Sequence, residues 1–274
     1  MKAPVSWGLF LLALATTPIP LNTACAVEVE PSRLELTLSP EEPIHGELQI
    51  SNHSSKVVGV QISHGAYRFP PPGLKLPSCE DWLSFKPERF TLAAGATTTV
   101  LYSVTPPDNL LQDPAGEYVA AIQVDQLPVD PKDSKGNKIT VIPRIALPVY
   151  LMIKGKEVVD LEISQVKVST SQSSPKLLRM DSTLKNRGTI HLRPTGTFAL
   201  FRSSGELVRA GPLGKSIPVL PSASLIIPSL LPLPAPGQYR LVITVEPQAG
   251  KVLQKETSFE ITEHGQVIQE KQKG

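Results

Sequence analysis

Arg33-Leu34-Glu35-Leu36-Thr37-Leu38 alternates polar and apolar residues one for one, which puts Leu34, Leu36 and Leu38 on a single face of an extended segment. The same period-two pattern recurs on either side of turn signals. Gly46-Glu47-Leu48-Gln49-Ile50 runs into the turn cluster Ser51-Asn52-His53-Ser54-Ser55, and Val58, Val60 and Ile62 form the next apolar face. Pro70-Pro71-Pro72-Gly73 is too rigid and too poor in amide donors for a central strand. Phe90 and Leu92 precede the turn Ala93-Ala94-Gly95 and the β-branched run Thr97 to Val104. After Pro114-Ala115-Gly116 comes Tyr118 to Val124, then a polar, turn-rich loop from Pro128 to Lys138. A long apolar strand from Ile139 to Ile153 follows.

Lys154-Gly155-Lys156 reads as a hinge, because the pattern begins again beyond it. Val158 to Val168 alternates, and Met180 to Leu184 leads to Asn186-Arg187-Gly188. Gly196 to Phe201 precedes a hairpin-type turn at Ser203-Ser204-Gly205. Leu225 to Leu233 is apolar but interrupted by prolines, and Gly237 to Val245 and Thr257 to Ile261 close the series. Evenly spaced short strands on both sides of one hinge predict an all-β protein with two immunoglobulin-like β-sandwich domains in tandem, at 27–154 and 157–262. The segment 263–274 carries only Val267 and Ile268 as an apolar face and reads as a charged, frayed tail.

Composition agrees with this class and excludes others. The 28 Pro and 18 Gly among 274 residues disfavour helix throughout. Twenty-seven basic against 25 acidic residues leave +2, which gives no electrostatic case for gripping nucleic acid. The hydrophobic fraction of 41% supplies a sizeable core, and no run of 18 apolar residues spans a membrane.

The first 26 residues read as a secretory signal: Lys2, a short apolar stretch from Trp7 to Ala15, and Ala24-Cys25-Ala26 as an A-x-A-like cleavage site. Thr23-Ala24-Cys25 leaves a lipoprotein reading open, in which Cys25 is acylated, although Asn22 stands where that motif usually has Leu. Either way Cys79 is the one cysteine of the body, so no internal disulfide forms. With Glu80 and Asp81 beside it, Cys79 is expected to be partly buried and unreactive.

Several of these segments together carry a resemblance. Pro31-x-Arg33-Leu34, Gly46 before a strand ending in Asn52, Trp82-Leu83-x-Phe85-x-Pro87, Phe90-x-Leu92-x-x-Gly95 and Gly116-Glu117-Tyr118 belong to the first domain. Asn186-x-Gly188, Val219-Leu220-Pro221 and Ala235-Pro236-Gly237-Gln238-Tyr239 belong to the second. Over roughly residues 27–262 the chain resembles the PapD-like periplasmic pilus chaperones. That resemblance implies a periplasmic binding protein engaging a pilin-like or other secreted subunit by β-strand addition, with an outer-membrane usher as a further partner. It also implies an interdomain anchor for the subunit's terminal carboxylate, at Arg33 and Arg144 here. The alternating apolar residues of the donor strand are then Ile139, Val141, Ile145 and Leu147. Three features depart from the family's pattern: Pro143 and Pro148 each remove an amide from the donor strand, Arg144 replaces a lysine, and Arg33 falls slightly earlier in its strand than the pattern places it. A structural or adhesive surface module is the competing reading, since prolines on an edge strand blunt pairing.

No catalytic or metal constellation is visible. His45, His53, His64, His191 and His264 share no ligand spacing, and neither a Gly-x-Ser-x-Gly elbow, a phosphate loop nor a Cys-x-x-Cys pair occurs. The expectation is a non-enzyme without cofactor. Asn52-His53-Ser54 matches a glycosylation acceptor, relevant only in a eukaryotic source.

Overall fold

The computed structural model describes residues 26–39, 42–68, 70–108, 110–127, 142–214 and 217–269. Residues 1–25 of the signal segment, Cys25 among them, and Ile139 and Val141 lie outside them.

Among the described residues nine strands precede Lys154: β1 (Val27–Glu30), β2 (Leu34–Leu38), β3 (Ile44–Asn52), β4 (Val58–Gly65), β5 (Leu83–Lys86), β6 (Arg89–Leu92), β7 (Thr97–Val104), β8 (Glu117–Leu127) and β9 (Arg144–Ile153). Among the described residues, helix is confined to two single 3-10 turns, Glu80–Trp82 and Leu110–Gln112. The strands form one sheet in the order β1-β3-β7-β5 and a second in the order β2-β9-β8-β4-β6. The opening segment thus changes sheets between Glu30 and Leu34: β1 runs antiparallel to β3, whereas β2 runs parallel to β9. Alternation makes this work, because Leu34 and Leu38 face a core shared with Leu48, Ile50, Val100, Ile122 and Leu151.

The second domain holds β10 (Leu161–Ser171), β11 (Ser174–Asn186), β12 (Thr195–Arg202), β13 (Leu207–Pro212), β14 (Ser224–Pro232), β15 (Gly237–Glu246), β16 (Leu253–Ile261) and β17 (Val267–Gln269). Its sheets are β10-β11-β14 and β13-β12-β15-β16-β17, closed over a separate core that includes Leu178, Met180, Leu241 and Phe259. Here the expectation of a frayed tail is corrected for residues 263–269. Residues 267–269 pair with β16, and the Gln269 side chain donates to Val166 O and Thr257 Oγ1 while accepting from the Val168 amide. Two apolar residues are a weak sequence signal, and the glutamine carries the attachment.

Both domains use the same two local devices. Asn52 and Asn186, each the last residue of a strand, are fully buried and bridge a turn to a neighbouring strand's end. Asn186 donates to Ile190 O and Val219 O at 2.8 Å and accepts from the Gly188 amide at 2.8 Å. Asn52 donates to Lys56 O, Leu92 O and Ala93 O. A side chain so occupied and buried closes the glycosylation reading of Asn52-His53-Ser54. Second, each Gly-x-Tyr sets a tyrosine at the head of a central strand whose hydroxyl returns to the chain just upstream. Tyr239 donates to Ala235 O at 2.6 Å, and Tyr118 bonds the Asp113 carboxylate.

Cys79 is fully buried, which goes further than the sequence implied. Burial first, then the charges of Glu117 and Glu80, push its thiol from 9.0 up to about 12. At pH 8 the thiolate is therefore scarce in the folded chain, and labelling with iodoacetamide is expected to run roughly a thousandfold slower than after unfolding in urea. The sign of the linkage is fixed as well: the folded chain keeps this proton where the unfolded chain has released it, so stability falls as pH climbs from 9.0 towards about 12. Equal labelling rates in the folded and unfolded chain would show that the thiol is open to solvent.

Candidate functional site

The edge of β9 and the junction between the domains meet at one place. In the parallel pairing, Leu34 lies opposite Val149 and Leu38 opposite Ile153, so β2 covers only the second half of β9. From Arg144 to Pro148, β9 is paired among the described residues on one side alone, by Ala121 to Asp125 of β8. The parity of that pairing follows from the prolines. Pro143 O accepts from the Gln126 amide, which assigns the odd positions to β8 and turns the backbone polar groups of Arg144, Ala146 and Pro148 outward. The open stretch therefore offers two amide donors and three carbonyls.

Side chains of this strand divide cleanly. Leu147 is 1% exposed and belongs to the first domain's own core, so the expectation that it reaches a partner is not met by its position. Ile145 is half-buried at the margin of the same core, and Ile142 just before the strand is exposed.

The two arginines picked from the sequence do not converge. Arg33 stands immediately before β2, level with Pro148, while Arg144 opens β9 four residues earlier, about 13 Å along the strand at roughly 3.3 Å per residue. Arg144 grips Asp125 in a two-pronged contact, Nε to Oδ1 at 2.5 Å and Nη2 to Oδ2 at 2.7 Å. Arg33 Nε donates instead to Glu35 Oε1 at 2.8 Å, with its side chain 49% exposed.

What does join Arg33 is Arg193, from the loop between β11 and β12. Its Nε donates to the same Glu35 oxygen at 2.6 Å, and its guanidinium lies 5.7 Å from the centre of the Tyr150 ring. Burial pushes the Glu35 carboxyl up, but hydrogen bonds from Arg193 and Arg33 and the nearby charges of Arg193 and His191 outweigh it and hold the group below its usual range. Two guanidiniums on one carboxylate leave a positive excess at the end of the open edge.

Two residues before Arg193, His191 locks the junction. Its Nδ1 lies 2.5 Å from Glu117 Oε2, which also accepts the His191 backbone amide at 3.0 Å, and its Nε2 is 3.7 Å from Glu35 Oε1. The imidazole packs on Tyr150 with ring centres 4.2 Å apart. His191 and Glu117 are both buried, so this hydrogen-bonded contact lies inside the interdomain seam. Around it, Val119, Tyr150, Leu220 and Ala223 form an apolar cluster, with Tyr67, Leu74 and Leu76 of the proline-rich strap packed on it. Gly116 admits the approach, since a Cβ there would lie 2.4 Å from Thr189 Oγ1 and 2.6 Å from Lys156 O. Sequence reasoning missed Arg193, His191 and Glu117 because 158 residues separate Arg193 from Glu35 and 74 separate His191 from Glu117.

The fold defined by these contacts is a docked tandem of immunoglobulin-like sandwiches with an open strand edge beside the seam. No protein-family model matches the sequence, and no curated protein does. Among solved structures, the class 5 fimbriae chaperone CfaA is similar at 12% identity, with 84% of this chain and 98% of that one covered and a TM-score of 0.44. The E. coli chaperone DraB is similar at 15% identity, covering 84% and 94%, with a TM-score of 0.41. A chain of the CsuC–CsuE chaperone–tip adhesion subunit pre-assembly complex of Acinetobacter baumannii is 17% identical, covering 85% and 98%, with a TM-score of 0.42.

Proposed function

We propose that this chain is an exported, periplasmic, non-catalytic binding protein that takes up an extended strand of a secreted or surface subunit along residues 144–148 of β9. The observation that carries the reading is the point where β2 stops covering β9, with Arg33 standing there. A strand entering parallel to β9 occupies the edge that β2 leaves free, and its C-terminal end arrives at Arg33. The positive excess of Arg33 and Arg193 around Glu35 then receives its terminal carboxylate, in a charge-assisted contact worth on the order of 1.5–3 kcal/mol. Main-chain hydrogen bonds to Arg144 and Ala146 and the carbonyl of Pro148 supply the ladder, with Ile145 and Ile142 at its apolar margin. Arg144, held by Asp125, stands at the entrance to the edge and not at the anchor.

The test is binding of a subunit-type peptide, alternating in apolar residues, as free acid and as C-terminal amide. Arg33→Ala is expected to weaken the free acid by roughly ten- to a hundredfold, amidation to do the same, and Arg144→Ala to change affinity by less than about threefold. Equal affinity of acid and amide for the wild-type chain would remove the carboxylate anchor. A wild-type chain that binds neither form would favour the structural-module reading, in which Pro143 and Pro148 serve to block pairing.

A further inference from the structure

At the opposite end of β8 from the open edge, the first domain carries a cleft of about 340 Å³. It is lined by Trp82, Tyr118, Pro107, Pro114, Gln112 and Asp113, with the side chain of Leu110 as a further apolar wall. The rings of Trp82 and Tyr118 pack with centres 4.6 Å apart, and Trp82 remains partly exposed. Every lining residue is neutral except Asp113, whose carboxylate is exposed and accepts from the Ala115 amide at 2.9 Å. Those contacts, the Ala115 amide first and then the Tyr118 hydroxyl, keep the carboxyl below its usual range against a small opposing effect of burial, with the Lys156 charge assisting.

Lys156, from the interdomain linker, directs its ammonium to the backbone carbonyls of Leu110 and Asp113, so the carbonyls at the back of the 3-10 turn are already occupied and the open acceptor of the cleft is the Asp113 carboxylate. The exposed acidic residues Asp81 and Asp108 are the chain neighbours of the lining residues Trp82 and Pro107. A partly exposed indole is the strongest aromatic host for a cation, and prolines give a flat apolar wall for a methylene stem.

We propose that this cleft is a binding site for a basic side chain, an arginine presented on an extended segment of a protein partner. The guanidinium faces Trp82 and the Asp113 carboxylate, and the aliphatic stem lies along Pro107 and Pro114. The site uses none of the residues at the β9 edge, so it stands or falls independently of strand capture.

Tryptophan fluorescence tests it directly, because the chain has two tryptophans, Trp7 and Trp82, and Trp7→Phe leaves Trp82 as the reporter. In the full chain carrying that change, Nα-acetylarginine amide is expected to shift the emission saturably at millimolar concentration, on the order of what one exposed cation–aromatic contact with a carboxylate supports. Nα-acetylcitrulline amide, the uncharged isostere, is expected to bind at least about tenfold more weakly. Asp113→Asn keeps an oxygen for the Ala115 amide but removes the charge, and is expected to weaken the arginine probe by about five- to tenfold. Gln112→Glu adds charge to the rim without touching a turn contact and should tighten it about twofold. Arg33→Ala should leave all of this unchanged. A response that does not saturate, or equal binding of the arginine and citrulline probes, overturns the assignment.

Discussion

Glu117→Ala is expected to destabilise the folded chain by about 3–5 kcal/mol and to separate the unfolding of the two domains. The carboxylate is 3% exposed and meets both the backbone amide and Nδ1 of His191, itself 4% exposed, across the seam. Removing it leaves the His191 backbone amide and Nδ1 without an acceptor, in a region from which water is excluded. Among the described residues the Oε1 atom of Glu117 has no hydrogen-bond partner, so Glu117→Gln keeps the acceptor arrangement at the other oxygen position. That variant is expected to cost less, about 1–2 kcal/mol, and the contrast isolates the charge from the shape. Urea unfolding followed by tyrosine and tryptophan emission reads both effects, and the alanine variant should show two transitions where the wild type shows one. Because the pair is buried, added salt should change the difference little, whereas a surface pair would be screened. A single transition displaced by less than about 1 kcal/mol would mean that the apolar cluster of Tyr150, Leu220 and Ala223 holds the domains without help.

How far the sequence led can be traced residue by residue. Strands with one face in a core were legible from alternation alone: Leu34, Leu36 and Leu38 form β2, and the apolar run at Tyr118 to Val124 lies inside β8. The turn at Lys154-Gly155-Lys156 is built on Gly155, which adopts φ +86 where few other residues settle. β10 begins at Leu161, later than the alternation from Val158 suggested, because the Arg187 amide bonds Asp160 O and the Thr189 amide bonds Val158 O. Those residues belong to the junction and not to the sheet. Arg33 was legible as a basic residue beside the first strand, but its companion was not. Period and spacing report neighbours along a strand, and the register between β2 and β9 separates Arg33 from Arg144. The positions that mattered most, Arg193, His191 and Glu117, are single polar residues without a pattern. Only the closure of one domain on the other brings them together.

Asn186, in plain view as Asn186-x-Gly188, holds the turn that leads into the loop of His191 and Arg193. Asn186→Ala is expected to lower the stability of the second domain by about 3 kcal/mol, since three hydrogen bonds of roughly 1 kcal/mol each disappear inside the core. Two of the stranded groups, the carbonyls of Ile190 and Val219, flank the loop that carries His191 and Arg193. The third is the amide of Gly188, where a Cβ would come within 2.1 Å of Val158 O, so the loop has no room to rearrange around the loss. Affinity for the free-acid peptide should therefore fall about tenfold under conditions where the variant is still folded, as the loop no longer holds Arg193 at Glu35. Asn52→Ala is the matched control. It removes the equivalent corner from the first domain, whose turn contacts Lys56, Leu92 and Ala93 and carries no residue of the anchor. It should destabilise by a similar amount and leave affinity within about threefold. If both variants lose affinity equally, the effect of Asn186 is global loosening; if only Asn186→Ala does, the corner positions the anchor through its loop.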